Sequence, residues 1–180
     1  MNKLLVVVDY QQDFVSGALG FAGAQALEQP ILRRVRKTLD EGGKVLFTRD
    51  THDETYLSTR EGRFLPVPHC MQGTPGWHLE GELAAYEGGG IPGVAFLNKP
   101  TFGATNIADV ARDLCGGEPD EIELCGVVTS ICVVSNAVLL HSSFLNAQIT
   151  LLAGLSAAPD PADQAAAERL LRGMGYGIEL

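Results

Sequence analysis

The chain has 180 residues, 46% hydrophobic and 19% charged, which suits one folded domain over residues 1–180 and excludes a disordered or tail-like protein. Lys and Arg total 13 against 22 Asp and Glu, a formal charge of −9. That balance repels phosphate backbones and anionic bilayers, so neither nucleic acid nor a membrane is expected as a partner. Apolar runs such as Leu4–Val8 are far short of a bilayer crossing, and no secretory signal is expected from the N-terminal residues. The cysteines Cys70, Cys115, Cys125 and Cys132 contain no C-x-x-C pair, which points to free thiols and a reducing, cytoplasmic setting.

In chain order, Leu4–Val8 is continuously apolar and stops at Asp9, the pattern of a strand buried on both faces of a parallel sheet. Pro30–Leu39 places Ile31, Leu32, Val35 and Leu39 on one helical face, and Gly42-Gly43 ends that helix. Lys44–Thr48 predicts a second strand. A long irregular stretch rich in Gly, Pro and His follows, from Arg49 to Pro92. Val94–Asn98 predicts a third strand, Asn106–Leu114 a helix, and Glu121–Val127 a fourth strand. Ile131–Leu145 reads as a strongly apolar, buried helix, with His141 as a satisfied core histidine. Gln148–Leu152, Pro161–Gly173 and Tyr176–Glu179 complete the pattern as strand, helix and edge strand. Strand–helix alternation of this kind predicts a three-layer α/β/α fold around a mainly parallel sheet of about six strands.

Functional residues of such sheets gather at the carboxyl ends of strands. Asp9, Lys99 and Cys132 all fall there. An acid, a cation and a thiol would meet although distant in sequence. A thiol at a helix N-terminus beside Lys99 is favoured as thiolate, and free N–H groups of the same turn could hold an oxyanion. Asp9 could carry the thiol proton to a leaving group. Singly, Cys132 also reads as a small buried thiol, Asp9 as a helix or turn cap and Lys99 as a surface charge. Asp50, His52 and His69 make a plausible ligand set for Zn²⁺ or a related ion, although Asp-x-His also serves as a simple turn. Phe14, Leu19 and Trp77 are candidate walls of a small-ligand pocket, or plain core packing.

These residues lie in segments that resemble the isochorismatase-like cysteine hydrolases, most closely their nicotinamidase-related branch. The segments are Leu4–Val15 (LLVVVDYQQDFV), Phe47–Asp53 (FTRDTHD), His69–Gly76 (HCMQGTPG), Asn98–Gly103 (NKPTFG) and Gly126–Val133 (GVVTSICV). The resemblance implies a triad of Asp9, Lys99 and Cys132, and an amide carbonyl attacked by the thiol to form a thioester. It implies an oxyanion hole of the Val128 and Cys132 N–H groups, and a cis peptide at Val127–Val128. It also implies a divalent metal, zinc first among candidates, on Asp50, His52 and His69, holding the ring nitrogen of a nicotinamide-like substrate. Ser130 stands where the family often has Asp, and Pro100–Gly103 departs from the usual nicotinamidase stretch; both leave the substrate open. The alternatives are a metal-free hydrolase of carbamoyl or ureido compounds and a non-catalytic binding relative. A closed homo-oligomer is expected, as for many enzymes.

Overall fold

The computed structural model describes residues 2–180, and in it the first apolar run forms the central strand β1, Lys3–Val8. Leu4, Val6 and Val8 enter one core while Leu5 and Val7 enter the other, as the two-residue period of a strand dictates. Burying each such side chain stabilises the fold by roughly 1.5–3 kcal/mol. The remaining strands are β2 (Lys44–Asp50), β3 (Val94–Lys99), β4 (Glu121–Val127), β5 (Gln148–Ala157) and β6 (Gly177–Glu179). They form one six-stranded parallel sheet in the order β3-β2-β1-β4-β5-β6. The α/β architecture expected from the sequence is thus observed.

Helices cover both faces. On one side lie α1 (Gln12–Val15), α2 (Ala22–Gln25) and α3 (Glu28–Asp40). Here α3 buries Ile31, Leu32 and Val35 against the sheet and leaves Arg33, Arg36 and Lys37 in water. A short helix α4 (Arg60–Phe64) belongs to the irregular stretch after β2. On the other face lie α5 (Ile107–Cys115), α6 (Val134–Ser143) and α7 (Pro161–Gly173). Asp160 caps α7 by accepting the Ala162 N–H at 2.8 Å, with Pro161 at the first helical position. No helix among the described residues is long and apolar enough to cross a membrane. All four cysteines are free.

Two expectations change. The helix expected over Ile131–Leu145 is divided into a π-helical turn, Thr129–Val133, and α6. It is also only half buried: Ile131 and Val138 are partly in solvent and Leu145 lies beyond the helix end, 89% exposed. An apolar run this short does not distinguish a wholly buried helix from one with a bare apolar face. His141 sits on the outer face, its ring 5.3 Å from that of Tyr176, and is not a core histidine.

The strand order reverses at β1, since the chain moves outward to β2 and β3 before returning to β4 on the other side. Crevices at such switch points, beyond the carboxyl ends of the strands, are where open α/β sheets bind ligands. Gly126 permits the close approach of β4 to β1 there. Its φ is +110°, and a Cβ would stand 2.1 Å from the Val8 carbonyl oxygen. Gly126→Ala should therefore cost about 3 kcal/mol or more through strain and overpacking. A Tm within a degree of the parent protein's in thermal denaturation would contradict this.

Candidate active site

Three strand ends converge at the switch point. Asp9 follows β1, Lys99 closes β3, and Cys132 lies in the π-helical turn after β4; all three are buried. The Lys99 ammonium stands 2.6 Å from Asp9 Oδ2 and 3.7 Å from Cys132 Sγ. It donates to the Thr101 carbonyl at 3.1 Å and faces Asp50 Oδ1 at 3.4 Å. Asp9 is fixed by Thr48, whose hydroxyl donates to Oδ1 at 2.7 Å and whose carbonyl accepts the Asp9 N–H at 3.2 Å. Its φ of +47° is left-handed, a conformation Asp tolerates better than most residues and one that gathers at functional sites. The contact at Oδ2 is a charge pair rather than an aligned hydrogen bond, so that oxygen keeps acceptor capacity. The Val127–Val128 peptide is cis. Asn136, fully buried on α6, ties the turn to the loop after β3. Its amide donates to the Cys132 and Phe102 carbonyls, and its oxygen accepts the Ala104 N–H.

A second group adjoins the first through Asp50. Asp50, His52, Glu61 and His69 bring one ligand atom each to within 4.8 Å of one another. Asp50 Oδ2 lies 2.9 Å from His52 Nε2 and 3.4 Å from His69 Nε2, and Glu61 Oε1 lies 3.7 Å from His52 Nε2. His69 Nδ1 is engaged with the Val67 carbonyl at 2.7 Å, which directs Nε2 toward the cluster in the way metal-binding histidines are usually oriented. Gln11 locks the end of β2: its side-chain oxygen accepts the Asp50 N–H, and its amide donates to the Asp50 and Trp77 carbonyls. Glu61 escapes the sequence reading because it sits on a one-turn helix within an aperiodic stretch. The available signal is an acid between the two histidines just after Thr59, whose hydroxyl caps α4 by accepting the Gly62 N–H.

Residues 3–178 match the Isochorismatase domain. The chain belongs to this family. The "Uncharacterized isochorismatase family protein PncA" of Bacillus subtilis (strain 168) is 31% identical over 144 residues, covering 77% of this chain and 78% of that protein. Among solved structures, nicotinamidase PncA from Bacillus subtilis superimposes with a TM-score of 0.88 at 28% identity, covering all of both chains. Pyrazinamidase of Pyrococcus horikoshii in complex with zinc does so with a TM-score of 0.83 at 26% identity, again over all of both chains.

Within this isochorismatase-family site, burial is the largest influence on Asp9, Asp50, Lys99 and Cys132 and opposes the charge of each. For Lys99 the facing Asp9, Cys132 and Asp50 outweigh burial and hold the ammonium charged. For Asp50, Lys99 and the two histidines outweigh it and keep the carboxyl well below the usual range. For Asp9 burial prevails over Lys99, and the pKa rises. For Cys132 burial again prevails over Lys99, and the nearby carboxylates push the thiol still higher. Burial thus opposes the thiolate that a helix terminus and a neighbouring lysine favour. The rate of Cys132 alkylation by iodoacetamide should keep rising above pH 8.5, the ordinary thiol pKa being about 8.5. A plateau below pH 8 in peptide-mapped rates would contradict this.

A cleft of about 900 Å³ opens beside the triad, lined in part by Glu61, Phe64, Thr101, Phe102, Ser130 and Ile131. Phe14, Leu19 and Trp77 are not among its lining residues. Phe14 is buried with its ring 5.3 Å from that of His69. Leu19 and Trp77 pack against the same core, and Trp77 is further held by a hydrogen bond from Nε1 to Thr51 and by the Arg49 guanidinium over its ring.

Proposed function

We propose that the chain is a cysteine amidohydrolase that cleaves the C–N bond of a small carboxamide, nicotinamide or a close relative, through a thioester on Cys132. The observation that carries this reading is one buried ammonium, Lys99, in contact with both an acid and a thiol. Likeness to structures described as nicotinamidase and pyrazinamidase supports it.

In the first half-reaction the Cys132 sulfur attacks the amide carbon as its proton passes to Asp9. The carbonyl oxygen becomes an oxyanion facing the Val128 and Cys132 N–H groups. Asp9, with a pKa raised by burial, is suited both to accept that proton and to return it to the departing nitrogen. The C–N bond breaks and ammonia leaves. Water then adds to the thioester and gives a proton to Asp9. The carbon–sulfur bond breaks, the carboxylic acid departs, and Asp9 reprotonates the sulfur. Lys99 stays charged throughout, steadying the thiolate as it forms and leaves.

Asp50, His52, Glu61 and His69 fit a divalent ion such as Zn²⁺, with its nitrogen and oxygen donors. Asp9 and Asp50 both face the one Lys99 ammonium, and Glu61 adds a further carboxylate to the ligand cluster. Burial and the Asp50 charge push the Glu61 carboxyl up, a penalty that a bound cation relieves. When bound, such an ion supplies open positions for a donor atom of the substrate and for water. The free thiols fit a reducing cytoplasm.

Ammonia release from a panel of carboxamides tests the reading, alongside metal analysis. Nicotinamide should be hydrolysed by protein containing one zinc or similar ion per chain. His52→Ala should lose that ion and most of the activity. Full activity in metal-free protein, or none towards any carboxamide in loaded protein, would refute it.

A further inference from the structure

The cleft beside the triad is larger than a single-ring carboxamide requires. Its volume of about 900 Å³ lies toward the upper end of the ~300–1,000 Å³ typical of sites for drug-sized ligands. It borders the reaction centre: Glu61 belongs to the candidate metal-ligand group, the Thr101 carbonyl accepts from Lys99, and Ser130 and Ile131 share the turn of Cys132. Its walls are mostly apolar. Phe64 is 88% exposed, and Phe102 and Ile131 are each about 40% exposed, so large apolar surfaces stand bare where substrate would enter. Isolated apolar side chains are ordinary on a surface, but a cluster of them in a concavity marks a binding site.

We propose that this cleft is an acyl-group subsite, and that the preferred substrate is a primary carboxamide whose acyl part carries an apolar group larger than one ring. This inference rests on the amidohydrolase reading. Release of ammonia from a primary amide puts all remaining substrate bulk on the acyl side. With the carbonyl carbon at Cys132 Sγ, that bulk has the adjoining cleft to occupy.

The test is calorimetric binding to the full-length Cys132→Ala protein in zinc-containing buffer, which does not depend on turnover. Nicotinamide, benzamide and 2-naphthamide are the ligands. The bicyclic amide should bind at least about tenfold more tightly than benzamide, the gain expected from burying additional apolar surface. Phe64→Ser and Ile131→Ser, each in the Cys132→Ala background, should reduce that ratio toward one. Equal affinities for the two amides, or a ratio unmoved by both substitutions, would overturn the subsite. So would a change confined to the oligomeric state in sedimentation, because the cleft would then be a face for a second copy. Ammonia release by the parent protein separates the two claims: hydrolysis of nicotinamide without preference for the bicyclic amide leaves the amidohydrolase reading intact and removes the subsite.

Discussion

Cys132→Ala should reduce carboxamide turnover by at least about 10³-fold, the scale on which loss of a covalent nucleophile is felt. The side chain is small and 5% exposed, and its removal leaves the turn's other contacts in place. Asn136 still donates to the residue-132 carbonyl, and the Val133 N–H still donates to the Val128 carbonyl. The folded state should persist, so circular dichroism and Tm should stay near those of the parent. Retained turnover in a folded Cys132→Ala protein would exclude the thiol as nucleophile. Turnover lost together with the fold would leave the sulfur in a structural role.

Asp9→Asn should produce the next largest effect, roughly 10²–10⁴-fold in kcat, the usual contribution of a positioned proton carrier. The substitution keeps the side-chain shape and can still accept the Thr48 hydroxyl hydrogen bond. It removes the carboxylate 2.6 Å from the Lys99 ammonium, leaving Asp50 at 3.4 Å as the facing charge. Breaking a buried ion pair outright costs about 3–5 kcal/mol; because Asp50 remains, the loss here should be smaller. Rapid-quench kinetics should place the defect in thioester formation, with KM little changed. Wild-type kcat in Asp9→Asn would show that the thiol proton leaves by another route.

Much of this site is legible in sequence because a parallel sheet converts linear position into spatial position. Val8 ends one apolar run and Asp9 follows it; Val127 ends another and Cys132 lies shortly beyond. Knowing only that β1 and β4 are parallel neighbours brings these residues to one crevice. Asp50 and His52 are legible for a related reason, since alternate residues of an extended segment share a side. Glu61 is not, because its position depends on the irregular path of residues 53–68. That path is set by local hydrogen bonds, such as Thr59 with Gly62 and Tyr56 Oη with the Leu65 carbonyl, which leave no hydrophobic period. The upward push on the Cys132 pKa is hidden as well. A sequence reveals the lysine and the helix start, while the burial that outweighs them is a property of the assembled fold. The same holds for the apolar cleft, whose walls come from α4, the loop after β3 and the π-helical turn.

The central claim, a thioester common to all substrates of one acid, is tested most directly by partitioning with hydroxylamine. An amide and the methyl ester of the same acid should pass through one acyl-enzyme on Cys132. The ratio of hydroxamate to free acid should then be the same from both at a given hydroxylamine concentration, and Cys132→Ala should form neither product from the amide. Hydroxamate-to-acid ratios that differ between amide and ester, or hydrolysis with no hydroxamate from either, would contradict a thioester intermediate.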